Sequence, residues 1–253
     1  MSTSVRYWLV LAPGLASLAG IWLVPPIPQD TAYHQFAGDL SLLAIPNALN
    51  VITNLLFAWA GIEGVYRLVW QNKLVIEEQV RPAYIIFFAS LILVALGSGH
   101  YHLSPDNQSL VWDRLPMTIA FMSFFTILCA ERLSPHRAKQ SYPLLLIAGI
   151  ASIAYWYFSE QAGQGDLRPY VLVQFLPIAL TPLILLLFPS NYSRSADIWW
   201  LFAWYLFAKL LEWLDLEIHN LLVVISGHNL KHVAAAIGCL VFLRHLRRRT
   251  AIQ

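Results

Sequence analysis

Residues 83–102 of this 253-residue chain have the sequence AYIIFFASLILVALGSGHYH. The run contains no Asp, Glu, Lys or Arg, and it has the length of about 20 residues that a helix needs to cross the hydrocarbon core of a bilayer. It closes on a serine and two histidines, Ser98, His100 and His102. Ionisable groups in a membrane helix are costly and therefore mark functional positions. This one stretch predicts a membrane-spanning helix that ends in a functional site.

The composition of the whole chain agrees with this local prediction. Apolar residues make up 58% of the sequence and charged residues only 12%, whereas soluble domains average about 25% charged. The composition excludes a soluble enzyme and a disordered chain. The net charge of +2 is too small to indicate a nucleic-acid partner, and two cysteines do not form a disulfide framework. Nothing in the sequence sets an oligomeric state.

Eight apolar runs bounded by charge, proline or glycine are candidate spanning segments. They are Tyr7–Ile27, Asn47–Trp70, Ala83–His102, Trp112–Ala130, Tyr142–Phe158, Pro169–Phe188, Ile198–Leu216 and His228–Leu243. Only helices satisfy their backbone internally in lipid, so the sequence predicts an all-α transmembrane bundle. We predict one integral membrane domain over residues 1–253, with an extra N-terminal helix over residues 7–27 and a seven-helix core over residues 45–243.

The orientation of the bundle follows from the distribution of Lys and Arg, which are in excess in cytoplasmic loops. Connections that carry basic residues alternate along the chain with connections that carry none or, at Arg168, one. The basic positions on the first side are Arg6; Arg67, Lys73 and Arg81; Arg132, Arg137 and Lys139; Arg194; and a final cluster of arginines at 244, 247, 248 and 249. This pattern predicts that both termini are cytoplasmic. The helices that end at His102 and begin near Asp113 and His228 would then meet at the non-cytoplasmic face.

Five polar residues at these helix ends have the spacing of a metal hydrolase site. Ser98 and His102 are i and i+4 on one helix face, as are His228 and His232. Asp113 opens the next apolar run, where a helix N-terminus favours a negative charge. Three histidines with an open fourth position are typical of catalytic zinc. Two simpler interpretations stay open at this point: Ser98 bonds to its own helix carbonyl, and Asp113 is a helix cap.

The remaining polar residues are interpreted as structural. The other five histidines (34, 100, 136, 219 and 245) are expected to be interface residues, since a single histidine at a helix end usually is. Lys209 and Glu212 are expected to pair at i,i+3, and Glu160, Asp166 and Arg168 are expected to form a solvated loop.

The combination of Ser98-x3-His102, an Asp at position 113 after ten intervening residues, and His228-x3-His232 resembles the alkaline ceramidases. These belong to a superfamily of zinc membrane hydrolases that includes the adiponectin receptors. The resemblance implies hydrolysis of the amide bond of ceramide, or of a related N-acyl lipid, to a fatty acid and a long-chain amine. It further implies that the three histidines hold Zn²⁺, that Asp113 handles the proton of the attacking water, and that Ser98 hydrogen-bonds the oxyanion.

The chain also departs from the eukaryotic members of that family. They carry an acidic, calcium-binding N-terminal segment and a Glu in the opening helix, where this chain has Asn47 and, before it, only Asp30 and Asp39. Calcium is therefore an open alternative. The short loops resemble bacterial members, which implies the bacterial inner membrane and leaves room for a lipid amide other than ceramide.

Two other functions stay open from the residues alone. The first is a receptor or transporter in which the histidines bind metal. The second is an intramembrane serine protease that uses Ser98, although Leu96 stands where the rhomboid-like motif has its first glycine.

Overall fold

The computed structural model describes residues 1–252 and is built from helices, with no β-strand among those residues. The α-helices, in chain order, are α1 (Thr3–Gly20), α2 (Ala48–Thr53), α3 (Leu55–Tyr66), α4 (Arg81–Leu103), α5 (Asn107–Arg132), α6 (Pro135–Gln161), α7 (Arg168–Leu187), α8 (Ala196–Trp213), α9 (Asp215–Leu222) and α10 (Gly227–Arg248). The all-helical fold predicted from the sequence is confirmed.

Most of the long helices are apolar enough to cross a membrane. In the described residues, six segments meet the requirements of length and hydropathy, and α9 with α10 would make a seventh, bent by 109°. The helix α8 is as long as a span but carries three charged residues, Asp197, Lys209 and Glu212. An integral membrane protein follows from this number of long apolar helices.

The structure corrects the predicted bounds of the first helix. It begins at Thr3 and ends at Gly20, followed by one 3₁₀ turn over Ile21–Leu23, rather than spanning residues 7–27. The helix stops there because Pro25 and Pro26 cannot donate to helix carbonyls. It packs against α7, and the Tyr7 hydroxyl donates to the Leu133 carbonyl at 3.3 Å. The extra N-terminal helix is therefore docked on the side of the bundle.

Within the predicted seven-helix core, neighbouring helices pack side by side: α3 against α4, α4 against α5, α5 against α6, and α8 against α10. The predicted span Asn47–Trp70 is broken into two helices, α2 and α3, which join at Asn54. A π-helical turn over Arg67–Gln71 extends it. The predicted core limits of 45 and 243 become Ala48 and Arg248.

Two glycines set the closest helix contacts, and each is next to a predicted site residue. A Cβ at Gly97 would overlap the carbonyl oxygen of Trp112, and a Cβ at Gly227 would overlap the carbonyl oxygen of Leu211. Only glycine allows this approach, since it has no side chain. Gly97 thereby brings α4 against α5 beside Ser98, and Gly227 brings α10 against α8 beside His228.

The bundle has two polar ends that differ in the residues they bury. We call the end that holds His102 and His228 the histidine end, and the end that holds Glu131 and Arg249 the arginine end. Residues 24–47, which we call the cover segment, connect α1 to α2 and pack over the histidine end, where Phe36 contacts the rings of His102 and His228 at centroid distances of 4.6 and 4.7 Å.

Candidate metal centre and lipid cavity

Three buried histidines converge at the histidine end. His102 lies in the last turn of α4, and His228 and His232 lie in the first two turns of α10. Their candidate ligand nitrogens all lie within 4.8 Å of one another, and their ring centroids are 5.0 to 5.2 Å apart. The structure thus brings together the three histidines that the sequence singled out from two distant segments.

Local capping fixes where these helices begin and end. The α10 N-terminus is a capping box in which Ser226 and Asn229 bond reciprocally. The Asp215 carboxylate accepts from the His228 N–H at 2.6 Å and, through its other oxygen, from the Ala37 N–H at 3.1 Å. Asp215 therefore ties the cover segment to the first turn of α10.

The free ring nitrogens show that the histidine cluster fits a metal ion. His102 Nδ1 and His228 Nε2 are buried and have no hydrogen-bond partner among the described residues. His232 Nδ1 lies 3.0 Å from the Thr53 hydroxyl, which itself donates to the Leu49 carbonyl at 2.7 Å. Thr53 must then accept from Nδ1–H, which leaves Nε2 of His232 with its lone pair. Neutral imidazoles with free lone pairs are the ligands that zinc prefers, so the residues present fit Zn²⁺.

Ser98 and Asp113 line the same cavity as the three histidines. Ser98 is buried one helical turn before His102, and its hydroxyl lies beside the Asp113 carboxylate. This contact depends on Gly97, which lets α4 approach α5 at Trp112. The arrangement places a carboxylate and a hydroxyl next to the imidazole cluster.

The helix that carries Asp113 starts earlier than predicted. It begins at Asn107 and is capped by Asp106, whose side chain accepts from the Ser109 N–H at 2.6 Å. That backbone donor holds the pKa of Asp106 below its usual range. Asp113 lies in the second turn, where it neither caps the helix nor opens it. The helix-cap interpretation of Asp113 is therefore wrong, and its carboxylate is available to the cavity.

The cavity has a volume of about 510 Å³ and runs from this polar cluster into the apolar interior. This is within the range of about 300–1,000 Å³ typical of small-molecule sites. Its deeper walls are apolar and include Phe57, Phe87, Leu91, Phe121 and Phe124. A polar end beside an apolar channel suits an amphiphile whose reacting group is polar and whose chain is hydrocarbon.

Comparison with known proteins gives the family. The family model described as Ceramidase matches residues 43–251. The chain belongs to the ceramidase family. No curated protein and no solved structure matches the chain. All five predicted site residues lie within the stretch that matches the ceramidase model, whereas α1 and most of the cover segment lie outside it.

The other histidines do not join the cluster of this ceramidase-family chain. His34, in the cover segment, lies between the Tyr101 hydroxyl and the Asn107 side chain, both at 2.9 Å. His245, at the arginine end, is buried and is 3.1 Å from Arg249. Among the described residues, His102, His228 and His232 form the one group of three His, Cys, Asp or Glu side chains that could hold a metal.

Asn47 and Asp30, two of the residues that bear on calcium binding, have other contacts. The Asn47 amide donates to the His102 carbonyl at 2.9 Å and so satisfies the end of α4. Asp30 caps a 3₁₀ turn by accepting from the Ala32 N–H at 2.9 Å. Asn47 therefore supports the end of α4 that carries His102.

The sequence missed a partly buried ion network beside the site. Lys209 and Glu212 pair as predicted, at 2.6 Å, but Lys231 of α10 also binds Glu212, at 2.5 Å. All three line the cavity. A lysine between His228 and His232 on an apolar helix was the available signal, but its partner lies on another helix and could not be assigned from spacing.

In the predicted solvated loop between α6 and α7, Asp166 is instead buried, although residues 161–164 are exposed. The Asp166 side chain is 2% exposed and forms a salt bridge with Arg168 at 2.7 Å, and Glu160 accepts from the Gln29 N–H at 2.6 Å. The hydrogen bond from Arg168 holds the pKa of Asp166 below its usual range. These contacts anchor the start of the cover segment to the histidine end.

Proposed function

We propose that this protein is a zinc-dependent membrane amidase that cleaves ceramide or a related N-acyl lipid to a fatty acid and a long-chain amine. One observation carries the proposal: three buried histidines with free ring nitrogens share a cavity with Ser98 and Asp113, and that cavity continues into an apolar channel. Membership of the ceramidase family supports the same chemistry.

The roles of the side chains follow from their positions. His102, His228 and His232 would hold the zinc ion, which when bound would supply Lewis acidity and a nucleophile at neutral pH. Asp113 accepts a proton from the attacking water and delivers it to the amide nitrogen as the C–N bond breaks and the new C–O bond forms. Ser98 donates a hydrogen bond to the carbonyl oxygen as that oxygen gains negative charge. The carbonyl carbon leaves as the fatty acid and the nitrogen leaves as the amine.

The contacts of Ser98 argue against a serine hydrolase. A nucleophilic serine needs a histidine within hydrogen-bond reach as its base. Ser98 forms no hydrogen bond to a histidine in residues 1–252, and its neighbour is the carboxylate of Asp113. Ser98 is therefore better suited to stabilise the carbonyl oxygen than to attack it.

The proposed location of the site is the non-cytoplasmic face of the membrane. The Lys and Arg residues in the connections support this orientation, because the basic C-terminal cluster lies at the opposite end of the bundle from the histidines. A cysteine introduced in the cover segment should react with a membrane-impermeant thiol reagent in intact cells. Labelling only after the cells are opened would reverse the orientation.

The experiment that tests this function compares two histidines of the same protein. His228→Ala should abolish hydrolysis of an N-acyl lipid and lower the zinc content from one ion per chain to near zero, with the helix content retained. His100→Ala is the matched control, because His100 is exposed on α4 two residues from His102. Full hydrolysis by His228→Ala would overturn the proposal.

Proton transfer can be tested separately. Asp113→Asn keeps the size of the side chain but removes its basicity, so kcat should fall by about 10²–10⁴-fold. Zinc content should be unchanged, because Asp113 is not among the three clustered ligands. Wild-type kcat in this variant would exclude Asp113 as the proton carrier.

A further inference from the structure

Arg114, which follows Asp113 on α5, is a buried cation that lines the cavity. Its guanidinium lies over three aromatic rings, at 5.3 Å from the centroid of Tyr33, 4.6 Å from that of Trp156 and 4.8 Å from that of Tyr170. These rings come from the cover segment, α6 and α7. The fold therefore builds an aromatic cage around one arginine at the polar end of the cavity.

The cage leaves the hydrogen-bonding groups of Arg114 without partners. Within residues 1–252 Arg114 forms no salt bridge, and its Nη1 atom is buried with no hydrogen-bond partner. A guanidinium has five N–H donors, and a buried charge is normally both paired and hydrogen-bonded. Aromatic faces attract a cation but cannot accept all of these N–H groups. Arg114 is therefore a buried cation that has aromatic rings around it but no acceptor among residues 1–252.

The neighbouring charges do not fill this role. Glu212 is held by Lys209 and Lys231, at 2.6 and 2.5 Å. The Asp30 side chain is used to cap its own 3₁₀ turn. The Asp113 carboxylate lies beside Ser98. None of these carboxylates forms a salt bridge or a hydrogen bond with Arg114, whereas Lys209 and Lys231 already hold Glu212. Arg114 therefore keeps its N–H donors for another acceptor.

We propose that Arg114 binds an anionic group on the amine half of the substrate, so that the preferred substrates are N-acyl lipids with a carboxylate or phosphate rather than neutral ceramides. This inference rests on the proposed amidase function. The acyl chain is assigned to the apolar walls around Phe87 and Phe124, which leaves the polar end, with Arg114, to the amine half. The planar fork of arginine suits carboxylate and phosphate oxygens, which it binds in pairs.

The test uses the zinc-loaded protein in lipid vesicles and three amides with the same acyl chain: a neutral ceramide, a ceramide 1-phosphate and an N-acyl amino acid. The wild-type kcat/KM should be about 100-fold higher for at least one of the two anionic amides than for the neutral one. The ratio of anionic to neutral kcat/KM should fall about 100-fold in Arg114→Met. Arg137→Met is the control, because Arg137 is exposed on α6 away from the cavity, and it should keep the wild-type ratio.

A second, more conservative variant tests the same residue in case Arg114→Met does not fold. Arg114→Lys keeps the positive charge within the aromatic cage but loses the planar fork, so about a tenfold loss of the ratio is expected. Which anionic amide responds distinguishes a phosphate from a carboxylate headgroup. If the same substitutions change only the inhibition by free fatty acid, Arg114 serves the acyl product, and the inference is overturned.

Failure of the inference differs from failure of the proposed function. Hydrolysis of all three amides at the same kcat/KM, with an unchanged ratio in Arg114→Met, overturns the inference and leaves the amidase function intact. If no amide is hydrolysed, the amidase function fails. Binding of the same lipids, followed by tryptophan fluorescence, then decides the anion site: tighter binding of an anionic lipid that Arg114→Met weakens about 100-fold supports it, and equal binding overturns it.

Discussion

Two buried arginines lie near opposite ends of α5, and they differ in what surrounds them. Arg249, 1% exposed at the arginine end, binds Glu131 at 2.6 Å, donates to the Val75 carbonyl at 2.9 Å and lies 3.9 Å from the ring centroid of Tyr192. Arg114 has rings around it but no acceptor. Glu131 and Arg114 are about 25 Å apart along the helix.

The difference separates a structural charge from a functional one. Burial of an ion is compensated only by a partner and by hydrogen bonds, and this fold provides both for Arg249. At the histidine end, Arg114 and the ring nitrogens of His102 and His228 are left without partners. The fold thus pairs Arg249, which holds helices together, and leaves Arg114 without an acceptor at the end where we propose that a metal and a substrate bind.

The largest effect on stability is expected from breaking the pair at the arginine end. Glu131→Ala leaves Arg249 as an uncompensated buried cation, so the free energy of unfolding should fall by about 3–5 kcal/mol. Unfolding in mixed detergent micelles measures this change. Glu78→Ala removes one partner of the exposed Glu78–Arg81 pair and should cost no more than about 1 kcal/mol.

Equal costs for Glu131→Ala and Glu78→Ala would show that the buried pair contributes no more than a surface one. The double variant Glu131→Met with Arg249→Met sharpens the test, because well-packed apolar residues often replace a buried ion pair with little loss. It should be more stable than Glu131→Ala alone.

A smaller effect, on metal affinity and not on stability, is expected at the histidine end. Thr53→Val removes the hydroxyl that accepts from His232 Nδ1 and keeps the shape of the side chain. Loss of such a supporting contact typically weakens metal affinity by about 10–100-fold. Competition with a zinc chelator measures the affinity. Thr181→Val is the control, because Thr181 is a buried threonine that bonds the Pro177 carbonyl of its own helix; a similar loss of affinity in both variants would contradict the role of Thr53.

The smallest effect on stability is expected from Arg114 itself. Arg114→Met removes a buried charge that has no partner in the fold, so the free energy of unfolding should be unchanged or higher. Unfolding in mixed detergent micelles again measures the change in free energy. A loss of more than about 2 kcal/mol would mean that Arg114 is a structural residue like Arg249, and the contrast between the two ends would be lost.

Much of the site could be predicted because its geometry is local. The i,i+4 spacing of Ser98 with His102, and of His228 with His232, fixes each pair on one helix face without tertiary information. The alternation of basic loops then placed these helix ends on one side of the bundle. The start of α5 was misplaced because its first turn, residues 107–111, is largely polar and lies outside the apolar run.

The remaining features depend on contacts that no spacing reveals. Lys231 meets Glu212 from another helix, Arg249 meets Glu131 over a separation of 118 residues, and the rings around Arg114 come from three segments. Lys231, Arg249 and Arg114 could each be recognised in the sequence as a charged residue in or near an apolar run. The residues that contact them could not. The sequence therefore indicated the important charged residues more readily than it indicated their contact partners.

The most direct test of the central claim is a zinc titration of metal-free protein during hydrolysis of an N-acyl lipid. The account predicts that activity is absent without metal, rises in proportion to added zinc and stops rising at one ion per chain, with His228→Ala inactive throughout. Full hydrolysis by the metal-free protein, unchanged by added zinc, would contradict it.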